Sequence, residues 1–236
     1  MKRRKPLLFL VGASVVVALL LLGCAGKEAV HPLSSFLVPD FAKRGVKTVG
    51  LMPISDQTNS EIGVATVLPL LEKRAAQETA YMFLSEEEIL GRAQKKGLRD
   101  QYTALVSGWD MNGTISAPDV VSLGEGCSVE AFLFTEIFIW NQEWVNQNVE
   151  GTSWSQVGIR TVLVGVKTGQ KLWEASDEQI MESAYYSPES GIGTHVDAGG
   201  MVRASSIGGV PDPPPIEEVA RRVLEALFKV YPGSGS

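Results

Sequence analysis

Residues Val129 to Trp140 read VEAFLFTEIFIW, a run dominated by β-branched and aromatic side chains. Its apolar residues do not alternate with polar ones, so neither face suits water. The run is therefore a strand buried on both faces near the centre of a sheet. Ser155 to Val166 does alternate, with Val157, Ile159, Thr161 and Leu163 pointing one way. Lys167-Thr168-Gly169-Gln170 supplies a turn, and Lys171 to Ser183 forms the returning strand of a β-hairpin.

Other elements arrange themselves around this centre. Val46 to Ile54 is a strand that Pro53 ends. Ser55 to Ser60 is a turn-rich loop. Pro69 suits a first helical position and predicts a helix over about 69–80, with Leu70, Leu71, Arg74, Ala75 and Glu78 on one side. Tyr81 to Leu84 is a short strand. Ser85 and Glu88 form a capping box that starts a helix, and Gly97 stops it. The glutamates of that first turn complement the helix dipole and are not read as catalytic. Residues 98–128 hold one or two further helices, with Pro118 as a first helical residue. Residues 185–215 contain six Gly, Pro188 and the run Pro211, Pro213, Pro214, Pro215. They predict a long mobile loop with no packed element. Ile216 to Tyr231 closes the chain as an amphipathic helix whose core stripe is Ile216, Val219, Ala220, Val223, Leu224, Leu227 and Val230. Residues 232–236 are a flexible tail.

The first 26 residues are of another kind. Lys2, Arg3, Arg4 and Lys5 form a basic head, and Leu7 to Leu22 is an uncharged apolar run. The run is short for a spanning helix and suits the core of a signal peptide. It ends in Leu21-Leu22-Gly23-Cys24, which resembles a bacterial lipobox: the Cys24 thiol is diacylated and the chain is cut just before it. Residues 1–23 are thus a lipoprotein signal peptide and 24–45 a lipidated tether with a short ordered end. Two or three acyl chains anchor a protein stably, at about 0.8 kcal/mol per buried CH₂. Ala25 after the Cys favours the outer membrane, by resemblance to the enterobacterial sorting rule. Cleavage removes four basic residues and no acidic one, which takes the net charge from −6 to −10. So acidic a surface argues against a nucleic-acid partner and leaves the tethering to the lipid.

A search for chemistry finds little. Two Cys in 236 residues cannot build a disulfide scaffold or a Cys-rich zinc site. His31 and His195 are too far apart for a His-based metal site. Gly165 to Lys171 lacks the spacing of a phosphate loop, and Gly191-Ile192-Gly193 does not follow a strand. Ser190, His195 and Asp197 could be drawn as a triad, but all lie in the Gly-rich loop, which cannot hold them in place. Cys127 reads as a small buried residue. No catalytic residue, metal or cofactor is expected. Trp140, Trp144 and Trp154 flank the Asn- and Gln-rich loop 141–153 and are the candidate partner-binding residues; their plain alternative is to cap the core.

The order of these features resembles a known group. It comprises the first strand before Pro53, Val67-Leu-Pro-Leu70, Tyr81-Met-Phe-Leu84, Lys96-Gly97-Leu98, Gly126-Cys-Ser-Val-Glu-Ala131, Thr135-Glu-Ile before Trp140, Lys167-Thr-Gly169 and Leu172-Trp173. The set is similar to the outer-membrane lipoproteins of the curli-secretion-channel (CsgG-like) group. That group includes LpoB-type activators of penicillin-binding proteins and shares its fold with the TolB N-terminal domain. The resemblance implies one compact α/β domain over 46–231, with a mixed sheet and helices packed on it. It also implies a protein that binds partners or oligomerises and carries no catalytic centre. The expected function is that of a periplasmic binding or assembly module for an envelope complex. The alternative is an oligomeric curli-type secretion channel. That alternative needs long amphipathic hairpins, for which 141–153 is too short and 185–215 lacks alternation.

Overall fold

The computed structural model describes residues 32–188, 194–196, 202–204 and 209–233. The signal peptide, Cys24 and His31 lie outside them. In chain order the elements are β1 (Ser34–Leu37), a 3-10 turn (Phe41–Arg44), β2 (Thr48–Asp56), α1 (Gly63–Ala75), β3 (Met82–Leu84), α2 (Glu86–Lys96), α3 (Arg99–Asn112), α4 (Ala117–Cys127), β4 (Ala131–Glu143), β5 (Trp154–Gly165), β6 (Gln170–Glu182), β7 (Thr194–Val196), β8 (Val202–Ala204) and α5 (Ile216–Lys229). Six strands make one mixed sheet in the order β1-β6-β5-β4-β2-β3, and β7 pairs with β8 separately. β2 runs parallel to both β3 and β4; the other neighbours are antiparallel.

The apolar run becomes β4, third from the β3 edge, with β2 on one side and β5 on the other. Its side chains divide by parity. Leu133 and Ile137 join Val157, Ile159 and Leu163 in a core under α1 and α5. Phe132 and Phe134 join Val162 and Val164 in a second core under α2, α3 and α4. The fold is thus α/β, with two helices on one sheet face and three on the other. The Glu130 carboxylate accepts the N–H groups of Lys47 and Thr48 at 2.6 and 2.8 Å, pinning the start of β2 to that of β4. The β5–β6 hairpin forms as expected, with Gly169 in the left-handed region at φ +63°. The Ser85 capping box and the Gly97 stop bound α2 as read. Five of the seven expected α5 stripe residues are buried, together with Phe228.

Two proline readings are corrected. Pro53 does not end its strand, because β3 pairs with β2 only from Thr48 to Gly50. Beyond that point β2 has one bonded neighbour, and its register with β4 slips between Leu51 and Ile54. A residue without an N–H is tolerated at such a slip. Pro69 is not the first residue of its helix but lies inside α1, which starts at Gly63 and stops at Ala75. Ser60 Oγ accepts the Gly63 N–H at 3.1 Å and so satisfies a first-turn donor earlier in the chain. The expected extension to residue 80 gives way to turns in which Gln77 and Glu78 N–H bond to the Arg74 and Ala75 carbonyls.

The segment 185–215 also differs from its reading. Residues 194–196 and 202–204 pair as antiparallel strands, and Tyr186, Pro211, Pro213 and Pro214 are buried. Residues 189–193, 197–201 and 205–208, with Ser190 and Asp197, lie outside the described residues.

Two features of the core predict measurable effects. Thr135 and Thr161 face each other across β4 and β5 under α1 and α5, and neither buried hydroxyl has a hydrogen-bond partner among the described residues. An unpaired buried hydroxyl costs roughly 1–3 kcal/mol. Replacing both, Thr135→Val with Thr161→Val, should raise the urea midpoint with an unchanged slope. Asp177 is buried on β6 and accepts from Gln179 Nε2 at 2.8 Å. Burial raises its pKa above the usual value, outweighing the hydrogen bonds from Gln179 and the Glu178 backbone, and the Glu178 charge adds to the rise. Its contribution to stability is present below the unfolded value of about 4 and is lost as pH rises through the folded value. Asp177→Asn should remove that part of the decline in a pH series of melting temperatures.

Candidate partner-binding surface

The three candidate tryptophans sit at the far end of the β4–β5 pair, where Glu143 faces Trp154 and the chain loops from 144 to 153. Trp140 pairs in register with Val157 and packs, half-buried, against the α1/α5 core. Trp154 lies three residues before Val157 on the same strand, so alternation turns it to the opposite face. Trp144, just past the strand end, is exposed, with its indole N–H 3.4 Å from the Asp212 carboxylate. The structure therefore brings the three to one end of the sheet but not to one face.

Hydrogen bonds lock three chain segments together at this end. Ser153 is fully buried. Its hydroxyl donates to the Pro211 carbonyl at 2.6 Å and accepts the Val145 N–H at 3.0 Å. Its own N–H donates to Ser183 Oγ at 2.9 Å, and its carbonyl accepts the Ser183 N–H at 2.7 Å. Ser155 Oγ donates to the Pro214 carbonyl at 2.5 Å, and Gln142 Nε2 reaches the same carbonyl at 3.2 Å. Gly151 and Tyr186 exchange backbone bonds at 3.0 and 2.7 Å, and the Tyr186 hydroxyl donates to the Gln147 carbonyl. The Glu150 carboxylate accepts from the Tyr185 and Ser187 hydroxyls, which raises the Tyr185 phenol pKa. The proline run offers carbonyls and, at each proline, no N–H, so serine and glutamine side chains are its fitting partners.

Three large side chains at this knot stay exposed. Trp144 is 54% exposed, Val149 55% and Tyr185 58%. Aromatics held on an ordered, hydrogen-bonded frame suit a protein interface, because little side-chain freedom remains to be lost on contact. The sequence reading found Trp144 and missed Val149 and Tyr185. The Tyr185-Tyr186 pair before the Gly-rich segment was the available signal, but pairing alone does not say that Tyr186 is buried and Tyr185 is not. Of the remaining candidates, His195 falls on β7. Cys127 ends α4, buried, with its thiol 3.7 Å from the Ile89 carbonyl. Burial raises the thiol pKa, and the nearby Arg92 offsets only part of that. Among the described residues no cluster of His, Cys, Asp and Glu could hold a metal ion, and no helix is long and apolar enough to cross a membrane.

No family model and no curated protein matches the chain. Solved structures resemble it distantly. PelC from Paraburkholderia phytofirmans, solved as a dodecamer, is 10% identical over 81% of this chain and 91% of that chain, with a TM-score of 0.39. Lipoprotein GNA1162 from Neisseria meningitidis is 17% identical over 58% and 84%, with a TM-score of 0.38. The LpoB C-terminal domain from Escherichia coli is 14% identical over 60% and 93%, also at 0.38. At this distance they transfer neither partner nor activity.

Ser153 is the centre of the knot. Ser153→Ala leaves the Val145 N–H and the Pro211 carbonyl unpaired, a cost of roughly 1–3 kcal/mol. Hydrogen exchange should quicken at Val145, Val210 and Asp212, while the β4–β5 centre near Leu133 and Leu163 keeps its protection.

Proposed function

We propose that the protein is a lipoprotein of the outer membrane, anchored through Cys24, whose periplasmic α/β domain is a binding or assembly module of an envelope complex. It works without a catalytic centre or cofactor, and it contacts its partner through Trp144, Val149 and Tyr185. The observation that carries this reading is the knot that holds these three exposed side chains on fixed backbone. Trp140 and Trp154 brace the strand ends from either face. The lipobox at Leu21 to Cys24 supports the anchor, Ala25 supports the outer membrane, and the motif order supports membership of the CsgG- and LpoB-like group.

Two measurements test this. Radiolabelled palmitate should enter the wild-type chain and not Cys24→Ser, which should leave the membrane fraction. Affinity purification from detergent-solubilised envelope should recover a defined partner with wild type. Trp144→Ala with Tyr185→Ala should weaken its capture tenfold or more, since buried aromatic anchors are worth roughly 2 kcal/mol each. Recovery of a bare monomer from wild-type envelope would sink the binding role.

A further inference from the structure

β1 is the outermost strand of the sheet at one side, and all four of its residues are exposed. Its inner edge pairs with Trp173 to Ser176 of β6. Its outer edge meets no strand among the described residues. Exposed edges ordinarily carry charge, proline or a bulge. β1 instead reads Ser-Ser-Phe-Leu and follows Leu33. Leu33, Phe36 and Leu37 are 40%, 46% and 48% exposed. Nine large apolar side chains are this exposed among the described residues, and three of them fall within these five positions.

Register spreads them over both flanks of the edge. Phe36 faces Glu174 on the α2–α4 side, and Leu37 faces Trp173 on the α1/α5 side. The apolar surface is therefore a ridge along the sheet edge. Lys171 Nζ lies 5.3 Å from the Phe36 ring centre and forms an ion pair with Glu174, so the polar groups beside the ridge are charge-balanced.

Chain length supplies the occupant. Ser34 follows Cys24 by ten residues, which span at most about 35 Å when fully extended. A lipid on Cys24 therefore keeps β1 close to a bilayer, at an effective concentration on the order of millimolar. We infer that the β1 edge rests on the lipid surface that holds Cys24. Leu33, Phe36 and Leu37 enter the boundary between headgroups and acyl chains, and the Lys171–Glu174 pair lies at the level of the headgroups. The unpaired backbone groups of the edge stay among headgroups and water, where they can still form hydrogen bonds. Contact along the sheet edge fixes how the domain stands on the membrane.

This inference rests on the lipid anchor, so its test supplies an anchor of its own. The chain from Cys24 onward is coupled through that thiol to a maleimide lipid in vesicles of phosphatidylethanolamine and phosphatidylglycerol. Buried Cys127 does not compete. Exchange of the amides of residues 33–38, read by mass spectrometry, should be several-fold slower than in the same chain capped with N-ethylmaleimide and free of vesicles. Exchange around Met111 and Trp144 should not change. Phe36→Asp with Leu37→Asp should abolish the slowing and leave β4 and β5 protected as in wild type. The inference is overturned by unchanged exchange at 33–38, by equal slowing at Met111, or by slowing that survives the double substitution. Slowing in the capped chain that grows with protein concentration also overturns it, because a second copy then covers the edge. Failure of Cys24 to take palmitate in cells strikes the anchor alone, since the maleimide lipid bypasses it.

Discussion

β4 leaves no face for water, and the rest of the molecule follows from covering it. Its even-numbered aromatics Phe132 and Phe134 need one helical layer, and its odd-numbered Leu133 and Ile137 need another. The chain meets both needs in sequence order. α1 leaves β2 on one face, α2 to α4 leave β3 on the other, and α5 returns at the end to complete the first. Without α5, Val157, Ile159 and Trp173 would lose much of their cover, since Val219, Val223 and Leu227 lie in the same core. The C-terminal helix is thus structural, and Trp173 ties it in by donating to the Val230 carbonyl at 3.0 Å.

Covering the sheet centre leaves its borders for function. The three-helix layer covers β2, β4 and β5, while no residue of β6 or β1 joins its core. At one border the sheet ends in an apolar strand a short tether away from Cys24. At the end of the long β4–β5 pair, the strands outrun the helices and are closed by the serine–proline knot. On the proposed reading the first border meets the lipid and the second meets a protein, so anchoring and recognition would use different surfaces.

Signals confined to a few residues were legible without the structure. The Ser85 capping box, the Gly97 stop, the Gly169 turn and the α5 stripe each follow from local hydrogen bonding or periodicity. Proline was where local reading failed. Along the chain Pro53 and Pro69 read as boundaries, because each lacks an N–H. Whether that lack matters depends on whether a partner was waiting for it. For Pro53 it was not, because β3 stops at Gly50. The run Pro211 to Pro215 looked too irregular to pack, yet Ser153, Ser155 and Gln142 are distant in sequence and bind its carbonyls. The tryptophan loop was found from composition, but which aromatic stays exposed was not.

By itself the sequence determined the central buried strand, the hairpin beside it and the helix caps, because each is a matter of neighbours along the chain. Only the tertiary structure decided which prolines are tolerated, which face each tryptophan takes, and that Val149 and Tyr185 join Trp144 outside the core. It alone made β1 an apolar edge strand with no strand beyond it among the described residues. These outcomes depend on contacts between residues far apart in the chain, and a linear pattern carries no record of what packs against it.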